Sequence, residues 1–133
     1  MSEFRFGRMK LMIVDDHAET RRLIRELVGH LAREVRECAN GHEAIRQCRE
    51  FRPDFVTMDL NMEPMDGFEA TRRIVETHAS TRIIIVTHSN IAELGPAALR
   101  AGARCLVAKS NLATLPRRLK GWLNEDAANG ASQ

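Results

Sequence analysis

Leu11-Met12-Ile13-Val14-Asp15-Asp16 sets an unbroken apolar run directly against a pair of carboxylates, and related runs return three times along the 133 residues. Phe55-Val56-Thr57-Met58 ends at Asp59, Arg82-Ile83-Ile84-Ile85-Val86 ends at Thr87, and Cys105-Leu106-Val107-Ala108 ends at Lys109. Short, near-continuous apolar runs rich in β-branched residues read as strands covered on both faces, the habit of a parallel sheet. In an open parallel sheet the loops after the strands share one edge, where ligands bind, so residues far apart in sequence meet there. An Asp pair, a lone Asp, a hydroxyl and a lysine at one such edge suit a hard divalent cation and a phosphoryl group.

Between these runs the spacing turns helical. Leu23, Ile24, Leu27, Val28 and Leu31 share one face over Ala18–Ala32, with Arg21, Arg22, Arg25 and Glu26 opposite. The first strand is Lys10–Asp15. Glu34–Ala39 is a weaker, more polar strand suited to an edge, and Asn40-Gly41 turns the chain into a helix from His42 to about Phe51. Pro53 sets the entry to a strand over Asp54–Asp59, Gly67–His78 carries Phe68, Ala70, Ile74 and Val75 at helical spacing, and Arg82–Thr87 is the fourth strand. Within Asn90–Ala101 the Gly95-Pro96 pair is a break, because a mid-helix proline removes a donor and clashes with the preceding turn; the regular helix is expected to start at Pro96. Ala101-Gly102-Ala103 turns into the fifth strand. The last helix is expected over Asn111–Leu123, its first turn distorted by Pro116.

Strand and helix in alternation predict an α/β domain: a five-stranded parallel sheet of order 2-1-3-4-5 with helices on both faces. The first and third strands then lie side by side at the switch point, where Asp15, Asp16 and Asp59 sit. The expected organisation is a short arm over 1–9, one domain over 10–124 and a flexible, small and polar tail over 125–133.

With 44% hydrophobic residues the chain suffices for one core of ordinary size. Twenty basic and 18 acidic residues, a net charge of +2, are too balanced to indicate nucleic acid or a membrane surface as the main partner. Cys38, Cys48 and Cys105 are widely spaced, lack a Cys-x-x-Cys or Cys/His pattern, and read as reduced core thiols. No run of apolar residues is long enough to span a bilayer, and Met1–Lys10 has no apolar core of a signal peptide, so a soluble, cytoplasmic protein is expected.

Val14-Asp15-Asp16, Asn40-Gly41 with Glu43-Ala44, Pro53-Asp54, Met58-Asp59-Leu60, Met65-Asp66-Gly67, Thr87, Ala101-Gly102-Ala103 and Lys109 form an ordered set along the chain. Together, from Lys10 to about Leu123, they resemble the receiver domain of two-component response regulators, a flavodoxin-like fold. The resemblance implies that Asp59 accepts a phosphoryl group from a sensor histidine kinase or phosphotransfer protein. It implies that Asp15, Asp16, Asp59 and the backbone carbonyl of Asn61 hold Mg²⁺, with Asp16 a direct ligand and Asp15 bound through water. Lys109 would neutralise the phosphoryl oxygens, and Thr87 would act as a switch hydroxyl that moves toward them. The expected protein is a single-domain, chemotaxis-regulator-like receiver that catalyses only its own phosphorylation and dephosphorylation. It would signal by binding a downstream protein through the fourth and fifth helices and fifth strand, a face that also admits a homodimer.

The chain departs from that pattern at several points. Met62 is followed by Glu63 before Pro64, which brings a carboxylate to the loop near the cation. His88 stands after the switch hydroxyl, where alanine or glycine is usual, and is large enough to crowd the entrance. Leu106 replaces the usual switch aromatic, and Ser110 replaces the proline after the lysine, so no cis peptide is expected there. These departures motivate an alternative, a receiver-like interaction module that works without phosphorylation. A phosphatase of the haloacid dehalogenase type is disfavoured because adjacent Asp15-Asp16 lacks the spacer of an Asp-x-Asp. The resemblance implies that Asn61 and Ser89 influence the rate at which the phosphoryl group is lost to water. His17, next to the acidic pair and in a position to tune metal binding, reads first as an exposed helix-start histidine, Met12, Met58, Met62 and Met65 as packing, and Arg117, Arg118 and Lys120 as a solvated helix face in preference to a partner-docking one.

Overall fold

β1 (Met9–Val14) pairs in parallel with β2 (Ala32–Cys38) on one side and β3 (Phe55–Asp59) on the other. β4 (Arg82–Thr87) and β5 (Cys105–Ala108) extend the sheet in the order β2-β1-β3-β4-β5, the order expected from the strand–helix alternation. This computed structural model describes residues 8–88 and 91–131. The helices are α1 (Ala18–Val28), α2 (Gly41–Phe51), α3 (Gly67–Thr77), α4 (Ile91–Ala101) and α5 (Leu115–Ala131).

Strand side chains alternate between the two faces. Met12, Val14, Val56, Met58, Ile83 and Ile85 pack with Ala44 and Cys48 of α2, Ala70 and Ile74 of α3, and Ala98 of α4. Leu11, Ile13, Phe55, Ile84, Val86 and Val107 pack with Ile24 and Val28 of α1 and with Leu115, Leu119 and Leu123 of α5. Burial on both faces explains why the central strands carry so few polar residues. The edge strand β2, with Arg33 and Glu34 exposed, can carry more.

Register carries the fold to the site. Val14 stands opposite Met58, so Asp15 emerges beside Asp59; Asp59 stands opposite Val86, and Thr87 opposite Ala108, one residue before Lys109. The loop after β3 is clamped to the start of α3. The Gly67 amide donates to the Leu60 carbonyl at 2.8 Å, and a Cβ on Gly67 would fall 2.4 Å from the Asp59 carbonyl oxygen. Only glycine permits that approach. Asp66 caps α3 by accepting from the Glu69 amide, and Asn40 caps α2 by accepting from the Glu43 amide, each at 2.9 Å.

Several expected boundaries are corrected. The first strand runs Met9–Val14, so Met9 belongs to the sheet and not to an arm; 1–7, with Phe4 and Phe6, lie outside the described residues. The first helix stops at Val28 instead of Ala32, because Gly29 breaks it and the chain continues as a 3₁₀ turn over Gly29–Leu31. Leu31 still reaches the core from that turn, which is why its spacing read as helical. β2 therefore starts at Ala32, with a bulge opposite Met9/Lys10.

Helix α4 starts at Ile91, not at Pro96, and holds the proline inside. Gly95 removes the Cβ part of the clash that proline imposes on its predecessor, while the missing amide donor and the crowding of the preceding turn remain as costs the helix carries. The last helix divides: Lys109–Thr114 is 3₁₀, with Asn111 off the helical angles, and α5 begins at Leu115. Pro116 then falls in the first turn, where no amide donor is needed, and disturbs nothing. The helix continues to Ala131 past Glu125, where a frayed tail was expected, and Asp126 within that stretch pairs with Arg82.

Candidate functional site

Asp15 leaves β1 with its backbone and side chain both engaged. Its amide donates to the Cys38 carbonyl at 3.1 Å, its carbonyl accepts from Arg21 Nη1 at 2.7 Å, and its Oδ1 accepts from the His17 amide at 2.8 Å. Arg21 is itself held by Glu37, at 3.0 Å from Nε. Burial pushes the Glu37 carboxyl up, but the guanidiniums of Arg25 and Arg21 outweigh it and hold it below the usual range. Asp16 is exposed, and its Oδ1 lies 2.8 Å from His17 Nδ1, which is also 3.3 Å from Asp15 Oδ1.

Asp59 ends β3 and is 2% exposed. Lys109 Nζ, carried by β5 into the same edge, sits 3.3 Å from Asp59 Oδ1 and 3.2 Å from Asp15 Oδ2. One ammonium thus serves two buried carboxylates. Asp59 Oδ2 is buried without a hydrogen-bond partner, and Asp15 Oδ2 has no hydrogen bond beside its ion pair. Burial and the neighbouring Asp15 push the Asp59 carboxyl up, against the opposing pull of Lys109 and the Asn61 backbone.

The sequence-predicted residues are therefore gathered at one edge. Asp15, Asp16 and Asp59 converge, with one ligand atom each lying within 4.8 Å of the others and of His17. Lys109 bridges two of them. Thr87 is fully buried at the end of β4, next in the sheet to Asp59. Asn61 lines an open cleft with Asp16, Leu60, Met62, Glu63, Asp66 and Phe68, so the additional carboxylate of Glu63 stands at the mouth. His88 is exposed just past Thr87, Leu106 is buried, and Ser89 lies outside the described residues. Among the described residues the one cis peptide is Glu63–Pro64, so Lys109–Ser110 is trans as expected.

Sequence reasoning missed Arg21 and underrated His17. Arg21 looks like one more charge on a solvated helix face, and only the fold turns it back onto the Asp15 carbonyl. His17 is 67% exposed, as a helix-start histidine should be, yet its ring nitrogen faces both carboxylates. The signal available was the Asp-Asp-His triplet itself.

Three carboxylates against one ammonium leave negative charge uncompensated, and an orphaned buried oxygen faces the cluster. That set fits Mg²⁺, which takes oxygen donors and keeps part of its water shell. The same lysine can neutralise a phosphoryl group.

Comparison with known proteins agrees with this geometry. The family model for the response regulator receiver domain matches residues 11–120. A chemotaxis protein CheY from Thermotoga maritima is 32% identical over 101 residues, 75% of this chain and 84% of that protein. A protein-glutamate methylesterase/protein-glutamine glutaminase of Hahella chejuensis is 44% identical over 82 residues, 61% of this chain but 23% of that protein, so the chain spans about a quarter of that relative. The crystal structure of a LuxR-family two-component response regulator from Aurantimonas superposes with a TM-score of 0.81 at 35% identity, covering 88% of this chain and 86% of that one.

Proposed function

The chain belongs to the response regulator receiver domains of two-component signalling, and from that membership we propose that it takes a phosphoryl group onto Asp59 and changes conformation to bind a partner. Receiver domains exchange phosphoryl groups with histidine kinases or phosphotransfer proteins and act on downstream targets. The observation that supports the reading here is Asp59 itself. It is buried at the acidic edge, with one oxygen on Lys109, the other unpartnered, and its carboxyl pushed above the usual range.

In this reading an Asp59 oxygen attacks the phosphorus of a phosphohistidine. The new O–P bond forms as the P–N bond breaks, and the imidazole leaves with the electron pair and takes up a proton. Lys109 stays beside the acceptor and neutralises charge on the phosphoryl oxygens. Asp16 and Asp59, with the Asn61 carbonyl and Asp15 through water, would hold Mg²⁺, whose contribution when bound is further neutralisation of those oxygens. Thr87 donates its hydroxyl to the phosphoryl group. The group adds roughly two negative charges and three acceptors, enough to bias a rearrangement of the loop after β4 that needs a few kcal/mol. The chain's chemistry is then confined to its own carboxyl, with the signal passing to a protein partner through α4, β5 and α5.

The test is intact mass after incubation with acetyl phosphate and Mg²⁺, beside Asp59→Ala. We expect a gain of one phosphoryl group that the variant lacks. A folded wild type that gains nothing would overturn the reading and favour a phosphorylation-independent interaction module, with His88 the first residue to replace.

A further inference from the structure

Two of the carboxylates at the acidic edge hang on the turn after β1, and a side chain outside their cluster holds that turn. Asp15 is tied at both of its peptide planes: its amide donates to the Cys38 carbonyl of β2 at 3.1 Å, and its carbonyl accepts from Arg21 Nη1 at 2.7 Å. The second tie bears on Asp16. A peptide unit is planar, so the Asp15 carbonyl shares a plane with the Asp16 amide and Cα, and orienting the one orients the other. Asp16 is exposed, so packing contributes little to its placement. Arg21 is braced in turn. Its Nε donates to Glu37 Oε1 at 3.0 Å, while Glu37 Oε2 accepts from Arg25 Nε at 2.8 Å. Glu37 stands on β2 opposite Ile13, on the strand that leads into Asp15. With 19% of its side chain exposed, Arg21 makes these bonds in partial shelter from water.

We propose that Arg21 is a positioning residue for the site: its guanidinium, braced by Glu37, fixes the Asp15–Asp16 peptide so that the Asp16 carboxylate is in place before a cation arrives. The inference rests on reading the acidic edge as a cation site. Carboxylates gathered in so small a space repel one another. Without the tie the turn would relax away from Asp59, and part of the cation's binding free energy would go into drawing it back. A guanidinium presents its donors as a rigid planar fork, so Nη1 and Nε serve the carbonyl and the carboxylate together; the ammonium of a lysine is a point charge on a flexible stem and has no such fixed pair. The contribution of Arg21 therefore falls on cation affinity and on the order of the metal-free turn, and little of it on the reaction once the cation is bound.

The experiment compares wild type, Arg21→Lys and Arg22→Lys, the last an exposed arginine on the same helix and outside this tie. Arg21→Lys keeps the charge and most of the stem, so a loss in it reports the fork and not electrostatics or packing. Three quantities are read on the full chain: amide hydrogen exchange of the metal-free protein by NMR, Mg²⁺ affinity by calorimetric titration with MgCl₂, and the rate of phosphorylation by acetyl phosphate at saturating Mg²⁺. We expect the Asp15 and His17 amides to exchange faster in Arg21→Lys while those of β3 keep their protection, which also shows that the variant is folded. Mg²⁺ affinity should fall about tenfold, the lower end of what loss of a partner outside the ligand shell commonly causes. The saturated rate should stay within about twofold of wild type, since the tie acts before the reaction. Arg22→Lys should match wild type throughout. Should Arg21→Lys not fold, Glu37→Gln, which loosens only the brace, carries the same test with losses in the same direction. Unchanged Mg²⁺ affinity, an equal loss in Arg22→Lys, or a fall in the saturated rate at unchanged affinity would overturn the positioning role and leave the cation site standing. A folded wild type that binds no Mg²⁺ would overturn both.

Discussion

At the N-terminal end of the strands Arg82 donates two hydrogen bonds to Asp126, Arg104 meets Glu125 at 3.4 Å, and the Lys10 amide donates to Asp54 at 2.8 Å. At the C-terminal end Asp15, Asp16 and Asp59 share the neighbourhood of one ammonium, Lys109, and two buried carboxylate oxygens accept no hydrogen bond. The first end even stacks its charges on rings, with Arg82 5.2 Å from the Phe55 centroid, Phe55 stacked on Trp122, and Arg104 5.4 Å from Trp122. Each of these acids is thus held within the fold, by a guanidinium or by a backbone amide. The other end is left short of positive charge around two buried carboxylates, a deficit that a bound cation would offset.

The sharpest way to break this contrast is Lys109→Met. Removing one partner of a buried ion pair leaves the other charge uncompensated, and here two carboxylates lose the same ammonium. We expect a loss of about 3–5 kcal/mol at neutral pH by urea denaturation. Saturating Mg²⁺ should restore more stability to the variant than it adds to wild type, since a cation that binds only the folded state stabilises it by mass action. A loss that Mg²⁺ leaves untouched would mean that Lys109 acts by packing alone, and the two ends would differ less than their charges suggest.

Asp59→Asn tests the same imbalance in the opposite direction. The Asp59 carboxyl is pushed above its ordinary value of 3.8 by burial and by Asp15, so ionising it costs folded-state stability. Its neutral form contributes stability that is present below 3.8 and lost as pH rises through the raised folded value. The asparagine variant escapes that loss. Without divalent metal it should be the more stable protein at neutral pH, by on the order of 1 kcal/mol, and the advantage should vanish as pH falls to the ordinary carboxylate range. Urea midpoints from pH 3 to pH 8 (about the span over which a carboxylate of this kind titrates) check both sign and window. A variant less stable than wild type at neutral pH would show that Lys109 already compensates the site.

These two ends were not equally legible in the sequence. The acidic edge could be read because each central strand is an apolar run that stops at a chemically distinctive residue, and parallel pairing brings the stops together. The opposite edge could not. In the sequence Arg82 is only the first residue of an apolar run, Arg104 carries no mark, and Glu125-Asp126 read as part of a small polar tail, because their pairing depends on how far α5 extends back across the sheet. Pro96 misled because the lost donor and the crowding of the preceding turn are costs a helix can carry, and a predecessor without a Cβ, Gly95, removes part of the steric cost. Leu31 misled because a residue can reach the core from a 3₁₀ turn as well as from the helix before it. His17 was placed correctly as exposed, but which way an exposed ring points is decided by the backbone of the Asp15–His17 turn, and periodicity carries no information about that.

The mildest test belongs to the balanced end. Glu125 and Arg104 are both well exposed, at 64% and 42%, and their single contact is 3.4 Å. Water screens such a pair, and ordering two long side chains offsets most of the remaining attraction, so Glu125→Gln should cost below about 0.5 kcal/mol. The loss should shrink further at high salt and should not respond to Mg²⁺. Arg104 keeps its place over Trp122 in this variant, which is why the charge can be removed without unstacking the end. The measurement is a pair of urea midpoints, with and without Mg²⁺, for wild type and Glu125→Gln. If the variant loses more than about 1 kcal/mol, the last turns of α5 depend on this one contact and the balance at that end is cooperative. If its stability becomes sensitive to Mg²⁺, the two ends are coupled through the strands between them, and the separation of a self-sufficient edge from a cation-dependent one fails at the point where it was expected to be safest.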